Sequence, residues 1–299
     1  MTAYTLAHLS DPHLAPLPEP SARELMSKRV LGYLNWTRNR HTFHIRETLD
    51  PLIADVKAQR PDHIAITGDL VNISLDAEFK QAAEWLRSVG TPEHVSVIPG
   101  NHDAYVASMR DRFATEFADY LRSDNAPSAG AVTFPYVQRR GPLALIGLST
   151  AVPTAPFMAT GKLGVQQLEA LEQILTGISP ADTFRVLLIH HPLDTDRKRR
   201  LKRLTDAGEL KALLHRRGVD LVLHGHDHRH ATVWLEGVNG KFPVVGVPSA
   251  SAADDGVHDP AAYNLFEITR ESDRWRCDMR VRTSVKNGGW KDVRKARLI

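Results

Sequence analysis

Five short apolar runs in this chain each lead directly into side chains that can ligate a metal. Leu6 to Leu9 is followed by Asp11 and His13, and His63 to Thr67 by Gly68 and Asp69. Val95 to Pro99 is followed by Gly100, Asn101, His102 and Asp103. Val186 to Ile189 runs into His190 and His191, and Leu221 to Leu223 into His224, Gly225, His226, Asp227 and His228. Short apolar runs bounded by turn residues read as buried strands, and open α/β sheets collect ligands at the carboxyl ends of their strands. Five such junctions place Asp, His and Asn along one sheet edge. That mixed oxygen and nitrogen donor set suits a pair of divalent transition metals.

Between these junctions the pattern alternates strand and helix. Asp76 to Val89 reads as a helix with Phe79, Ala82, Ala83 and Leu86 on one face and Gly90 as its stop. Val165 to Ile178 and Ala207 to Arg217 read likewise, and 143–148, 185–189, 219–223 and 243–247 read as strands. The last 37 residues suggest further β-structure, Tyr263 to Thr269 and Trp275 to Arg282. This is the pattern of a layered α/β protein with an added β region. No repeat or linker divides it, so residues 1–299 are expected to form a single catalytic domain.

Residues 15–46 break the rhythm. A proline-rich start leads into Ser21 to Asn39, which reads as an amphipathic helix carrying Leu25, Met26, Val30, Leu31, Leu34 and Trp36 beside Lys28, Arg29, Arg38 and Arg40. Such a segment packs on the core, caps the site or lies on a membrane surface, because basic residues beside Trp and Leu are what interfacial helices use.

The charge balance is only +3, but it is clustered at 197–203, at 28–40 and near the C-terminus. The first two clusters follow ligand-bearing loops, where they would face an anionic substrate or surface. The lone cysteine, Cys277, excludes an internal disulfide and a cysteine zinc site. No apolar run approaches the roughly 18 residues of a membrane span, and residues 4–9 read as a strand rather than a signal peptide. The expected location is cytoplasmic, with a peripheral position at the inner membrane as the alternative.

A two-metal site needs a bridging carboxylate and about three terminal ligands per ion. Asp11, His13, Asp69 and His228 are assigned to the first ion; Asp69, Asn101, His190 and His226 to the second. Mn and Fe are the expected metals, with Zn and Co compatible. Such a pair activates water and neutralises phosphate oxygens. His102 stands beside a ligand without being needed as one, and is assigned as proton donor to the leaving oxygen; the alternative is a role in orienting the loop. Asn101 and His102 are also expected to touch substrate; His191 is a further candidate, with a structural role as its equal alternative. Asp103 is expected to support its loop or a neighbouring histidine. His224 is expected behind the ligands, His41 and His44 are candidates to face the site, and His63, His94, His215 and His258 are taken as structural.

These residues carry a resemblance to the calcineurin-like metallophosphoesterases. The matching motifs are Asp11-Pro12-His13, Gly68-Asp69, Gly100-Asn101-His102-Asp103, His190-His191-Pro192 and Gly225-His226-Asp227-His228, spanning residues 11–228. The resemblance implies a four-layer α-β-β-α sandwich with a dinuclear site, the ligands assigned above, and His102 as proton donor. Leu70 and Val71 stand where the protein serine/threonine phosphatase branch has a further Asp-Arg-Gly. The stretches His8 to His13 and Thr67 to Leu70 look like the bacterial cyclic-nucleotide phosphodiesterase branch. The long segment after His13 is similar to that of capped, lipid-facing members that cleave nucleotide-diphosphate lipids.

The expected activity is therefore hydrolysis of a small phosphodiester, a cyclic nucleotide or glycerol-type diester. A membrane-surface hydrolase of a lipid phosphate or nucleotide-diphosphate lipid is the alternative. A nuclease ranks third, since basic patches interleaved with aromatics are missing. A homodimer through the C-terminal strands, including Trp275 and Trp290, is an open alternative.

Overall fold

The computed structural model describes residues 3–127, 130–194, 197–285 and 289–299, without the side chains of 197–199. Thus Lys286 and the first half of the 197–203 basic cluster lie outside what is described below.

The chain builds two six-stranded sheets. The first contains β1 (Tyr4–Leu9), β2 (His63–Ile66), β3 (Val95–Val97), β10 (Ala262–Glu271), β11 (Arg274–Ser284) and β12 (Trp290–Arg297), in the order β12-β11-β10-β1-β2-β3. The second contains β4 (Tyr136–Arg140), β5 (Leu143–Gly147), β6 (Phe184–Leu188), β7 (Leu221–His224), β8 (Ala231–Gly237) and β9 (Gly240–Gly246), in the order β4-β5-β6-β7-β9-β8. Helices α1 (Arg29–Arg38), α2 (Arg46–Ala58), α3 (Asp76–Val89), α4 (Arg112–Glu116), α5 (Ala118–Leu121), α6 (Val165–Gly177) and α7 (Ala207–Arg217) connect them.

Side-chain alternation along the strands explains the layering. Leu143 and Leu145 of β5, Val186 and Leu188 of β6, and Leu221 and Leu223 of β7 share one buried cluster with Leu6, Ile66 and Phe266 of the first sheet. Their neighbours Ala144, Ile146, Leu187 and Val222 point the other way, into a second cluster with Leu171 and Leu175 of α6 and Leu210 and Leu214 of α7. Leu49 and Leu52 of α2 and Phe79 and Leu86 of α3 join the first cluster. Helices, sheet, sheet and helices stack as a four-layer α-β-β-α sandwich, as expected. Strands buried on both faces have no polar face to show, which is why they read as continuous apolar runs.

The central strands β1, β2 and β3 are parallel neighbours, as are β5, β6, β7 and β9. Leu9 pairs with Ile66, and Ile66 with Val97, so the loops carrying Asp11, Asp69 and Asn101 leave the sheet side by side. Leu188 pairs with Leu223, which aligns the His190 and His226 loops in the second sheet. The C-terminal strands extend the first sheet through β10, antiparallel to β1. The edge strand β12 carries Lys291, Arg294, Lys295 and Arg297, charges that discourage further edge pairing.

The segment after His13 departs from the expected helix over Ser21 to Asn39. Ser21 and Glu24 do form a reciprocal cap, Ser21 N–H donating to Glu24 Oε2 at 2.9 Å and Glu24 N–H to Ser21 Oγ at 3.4 Å. The turn does not propagate. Ser27 Oγ donates to the Glu24 carbonyl and accepts the Arg29 N–H, occupying groups that a helical ladder would use, and α1 begins only at Arg29. Helices α2, α4 and α5 and strands β4 and β8 were not anticipated, and β12 falls in the expected C-terminal β region without bounds of its own; β8 and β12 bury no residue fully, and their mixed polar sequences give little hydrophobic period.

Candidate metal centre

Five loops bring the assigned donors together. Asp11 N–H donates to the Gly68 carbonyl and His13 N–H to the Asp69 carbonyl, each at 3.0 Å, which welds the first two loops. The sheets are tied at the same place. His226 N–H donates to Asp11 Oδ2 at 3.0 Å, Gly225 N–H to the His190 carbonyl at 3.2 Å, and His190 Nδ1–H to the Thr67 carbonyl at 2.7 Å.

Among the described residues three donor groups result: two share Asp69, and the third is His13, His44 and His228. Asp11, His13, Asp69 and His228 offer ligand atoms that all lie within 4.8 Å of one another, and so do those of Asp69, His190 and His226. Asn101 joins the second group, its Oδ1 lying 3.2 Å from His190 Nε2. Asp11, His13 and His190 are fully buried and Asp69 nearly so. Second-sphere carbonyls select the ring nitrogens. His190 uses Nδ1 on Thr67 and His13 uses Nδ1 on the Val71 carbonyl at 3.3 Å, leaving Nε2 of each for the cluster. His226 does the reverse, its Nε2–H donating to the Lys202 carbonyl at 2.9 Å and leaving Nδ1.

The donors sit on strained backbone. Asp11, His13, Asp69, His226 and His228 all have positive φ, between 38° and 69°. Non-glycine residues rarely occupy that region, and such outliers cluster at functional sites where surrounding structure over-determines them. Neighbouring glycines make the close approach possible. A Cβ on Gly100 would stand 2.2 Å from Asp69 Oδ1, and one on Gly225 1.9 Å from Ser10 Oγ. The residues present fit a pair of divalent ions: a shared carboxylate, imidazoles with preset tautomers and one neutral amide oxygen.

Without ions the cluster balances its own charge. Burial opposes ionisation of Asp69, but His190 and His102 outweigh it and hold the carboxyl well below the usual range. Burial likewise opposes charge on His190, yet Asp69 pushes it up to about 10. Asp11 is lowered too, His228 outweighing its burial. His13 and His226 are held well below 6.5 by burial, assisted by neighbouring cations and rings. A cation on these donors would take the place of the His190 proton.

His102 donates its backbone N–H to Asp69 Oδ1 at 2.7 Å, and its Nδ1–H to the Asn72 carbonyl. The other nitrogen accepts from Arg40, whose Nη1 is 3.0 Å away. Burial and then the Arg40 charge hold this imidazole down at about 4. Arg40 Nη2 lies 3.2 Å from His44 Nε2. His44 is buried, its ring centroid 4.4 Å from that of His13, and its Nδ1–H donates to Ser251 Oγ at 2.9 Å. His41 stays outside, exposed and bonded to the Trp36 carbonyl.

Asp103 supports the loops, as expected. It accepts backbone N–H groups from Asp69, Leu70, Val71 and Gly100 at 2.8–3.1 Å. His191, open to substrate contact or a structural role, makes structural contacts here. Its Nδ1 is bonded to Thr150 Oγ1 at 2.7 Å and its Nε2 to the Ala159 carbonyl at 3.1 Å, and the ring is fully buried beneath His226. His224 is buried behind the ligands. His258 had been taken as structural; it stands on the rim of the cleft, paired with Asp255 at 2.7 Å.

The centre opens into a cleft of about 780 Å³. Asn101, His102, His226 and His228 form its floor; Asn35, Asn39, Arg40, Phe43 and His44 form one wall, so the segment after His13 shapes the site. Arg29 anchors that wall, donating to the Ile73 and Ser74 carbonyls from a buried position. Arg40 is the functional candidate that sequence reading left undistinguished among its basic neighbours. No spacing signal marks it, because its partner His102 is 62 residues away.

Residues 4–230 match the family model described as calcineurin-like phosphoesterase. A probable cyclic nucleotide phosphodiesterase of Synechococcus sp. is 26% identical over 228 residues, 75% of this chain and 78% of that protein. Among solved structures, a dimetal phosphatase from Danio rerio matches with a TM-score of 0.61 at 13% identity, covering 100% of this chain and 99% of that one. A purple acid phosphatase from yellow lupin (Lupinus luteus) matches with a TM-score of 0.59 at 14% identity, covering 97% of this chain and 53% of that one. These structural likenesses bear on the fold. The chain belongs to the calcineurin-like phosphoesterase family, which uses a dinuclear metal centre, and is a metal-dependent phosphoric ester hydrolase. Among the described residues no helix is long and apolar enough to cross a membrane.

Proposed function

We propose that this phosphoesterase hydrolyses a small phosphodiester, a cyclic nucleotide or a glycerol-type diester, on metals held by Asp11, His13, Asp69, Asn101, His190, His226 and His228. The observation that carries the reading is the shared carboxylate: Asp69 belongs to two donor groups on the floor of the cleft. The relative named a probable cyclic nucleotide phosphodiesterase favours a diester. Two divalent ions, with Mn and Fe preferred by the donor set, supply an activated water and neutralise phosphate oxygens when bound.

The chain's own groups do the rest. Asp69 and Asp11 fix the donor geometry, and Asn101 faces both a metal position and the substrate. His102 stands on the cleft side of Asp69, with its ring fixed through the Asn72 carbonyl. It is proposed as proton donor to the leaving oxygen: when Arg40 turns to the phosphate, Nε2 is released to take up a proton from solvent, and the imidazolium passes that proton to the leaving oxygen.

One observation favours a lipid-phosphate substrate as the second reading. Exposed apolar side chains border the cleft: Val257 (82% exposed) is on its lining, Leu201 (55%) precedes the lining residue Lys202, and Phe157 (85%) lies two residues before Ala159. Apolar residues beside basic ones are what membrane-surface proteins present.

The test is turnover by the Mn²⁺-loaded protein of 3′,5′-cyclic AMP and of a nucleotide-diphosphate lipid in liposomes, with products read by mass. Rapid AMP formation with the lipid untouched supports the first reading. Lipid cleavage with cyclic AMP barely turned over supports the second. A protein with both ions bound that cleaves neither, nor a nitrophenyl diester, overturns the proposal.

A further inference from the structure

The segment between β1 and α2 delivers one cation into the cleft. Arg40 opens the short 3-10 turn that follows α1, and its guanidinium reaches across to His102 and His44. Both contacts are with imidazole nitrogens acting as acceptors, and no ion pair of Arg40 forms among the described residues. Burial disfavours the charge, and the carboxylates whose charge offsets this are Asp69, then Asp11, then Glu78; the first two are the central donors of the candidate metal groups.

This arrangement is incomplete in a specific way. A half-buried guanidinium that faces two neutral rings is poorly compensated and open to an anion in the cleft. Cations on Asp11 and Asp69 would consume most of the negative charge that Arg40 now feels. The cleft would then hold a poorly compensated fork of N–H donors beside the place where a phosphate must sit. Arginine matches phosphate oxygens through paired charge-assisted hydrogen bonds.

We propose that Arg40 is the substrate-phosphate contact of this site, with His102 and His44 serving as its resting partners when no anion is bound. The proposal rests on the hydrolase reading above and gives the segment after His13 a recognition role as well as a packing one. It also accounts for the buried Arg29, which pins the base of α1 to the Ile73–Ser74 loop while Ser74 Oγ donates to the His102 carbonyl at 2.6 Å. Arg40 and His102 are thus held from both sides.

Inorganic phosphate is the probe. Its binding to the full-length Mn²⁺-loaded protein is measured by calorimetry and by competitive inhibition of nitrophenyl-diester cleavage, for wild type, Arg40→Gln, Arg40→Lys and the exposed control Arg38→Gln. Arg40→Gln is expected to keep both ions and the wild-type melting temperature while weakening phosphate about 10- to 100-fold, the share of a charge-assisted contact. KM should rise with it. Arg40→Lys should recover part of the affinity, and Arg38→Gln should match wild type. Phosphate affinity in Arg40→Gln within threefold of wild type, at full metal content, overturns the proposal. Loss of metal or folding in both Arg40 variants, with phosphate weakened only in proportion, also overturns it and makes Arg40 a strut. A wild type that binds phosphate through Arg40 but cleaves no diester refutes the proposed function and leaves this inference standing.

Discussion

Asp103 Oδ2 accepts the backbone N–H of Asp69 at 2.8 Å, and so holds the one carboxylate common to two donor groups in its left-handed conformation. The same carboxylate takes the N–H groups of Leu70, Val71 and Gly100, so a single side chain fixes two of the five ligand loops. Replacing Asp103 by Asn turns one acceptor oxygen into a donor facing those N–H groups. Metal affinity should fall by about 10- to 100-fold, the usual cost of losing an outer-shell partner. Competition with a chelator of known affinity measures it; wild-type affinity in the variant would contradict the role.

Asp69→Ala should remove activity and most of the bound metal, since both groups lose their shared oxygen donor. Elemental analysis after gel filtration, read beside turnover, decides it. Two ions retained with activity intact would refute the assignment of Asp69.

His102→Ala should leave metal content unchanged and slow turnover by about 10²–10⁴, the range of a general acid. The deficit should shrink on a nitrophenyl diester, whose leaving group departs without a proton. An equal deficit on good and poor leaving groups would assign His102 to positioning Arg40 and the Asn72 loop instead.

His63 should make stability fall in acid. It is buried in β2, with Nε2 2.8 Å from Ser96 Oγ, and burial, assisted by Arg140, lowers its pKa to about 3. Below its unfolded value of about 6.5 the unfolded chain takes up a proton that the folded chain refuses. This contribution is therefore complete above pH 6.5 and is lost as pH falls from 6.5 towards 3, at about 1.4 kcal/mol per pH unit. Urea unfolding at fixed metal load should show His63→Gln gaining about 2 kcal/mol on wild type between pH 7 and pH 5. Parallel stability curves would mean that His63 takes no part in acid sensitivity.

The chemistry of the donor set was legible in the sequence because each pair of donors is local. A strand followed at once by Asp11-x-His13 or His226-x-His228 needs no tertiary information to put two ligands on one loop. The strands β1, β2, β3, β6 and β7 were legible for the same reason, being short apolar runs buried on both faces. Helix α1 was overextended, because side-chain hydroxyls at Ser21 and Ser27 compete with a ladder that hydrophobic spacing alone would complete.

Tertiary structure alone decided the rest. Which nitrogen each imidazole offers follows from carbonyls at Thr67, Val71 and Lys202 that no spacing links to the rings they meet. His191 looks identical to His190 in the sequence, yet its ring turns into Thr150 and Ala159 because consecutive side chains leave a strand end on opposite sides. Arg40 is one basic residue among several until a wall built from residues 29–46 folds over the Asn101–His102 loop. Local sequence fixes what a residue can do; packing between distant segments fixes what it faces, and for Arg40 the facing partner is the whole of the argument.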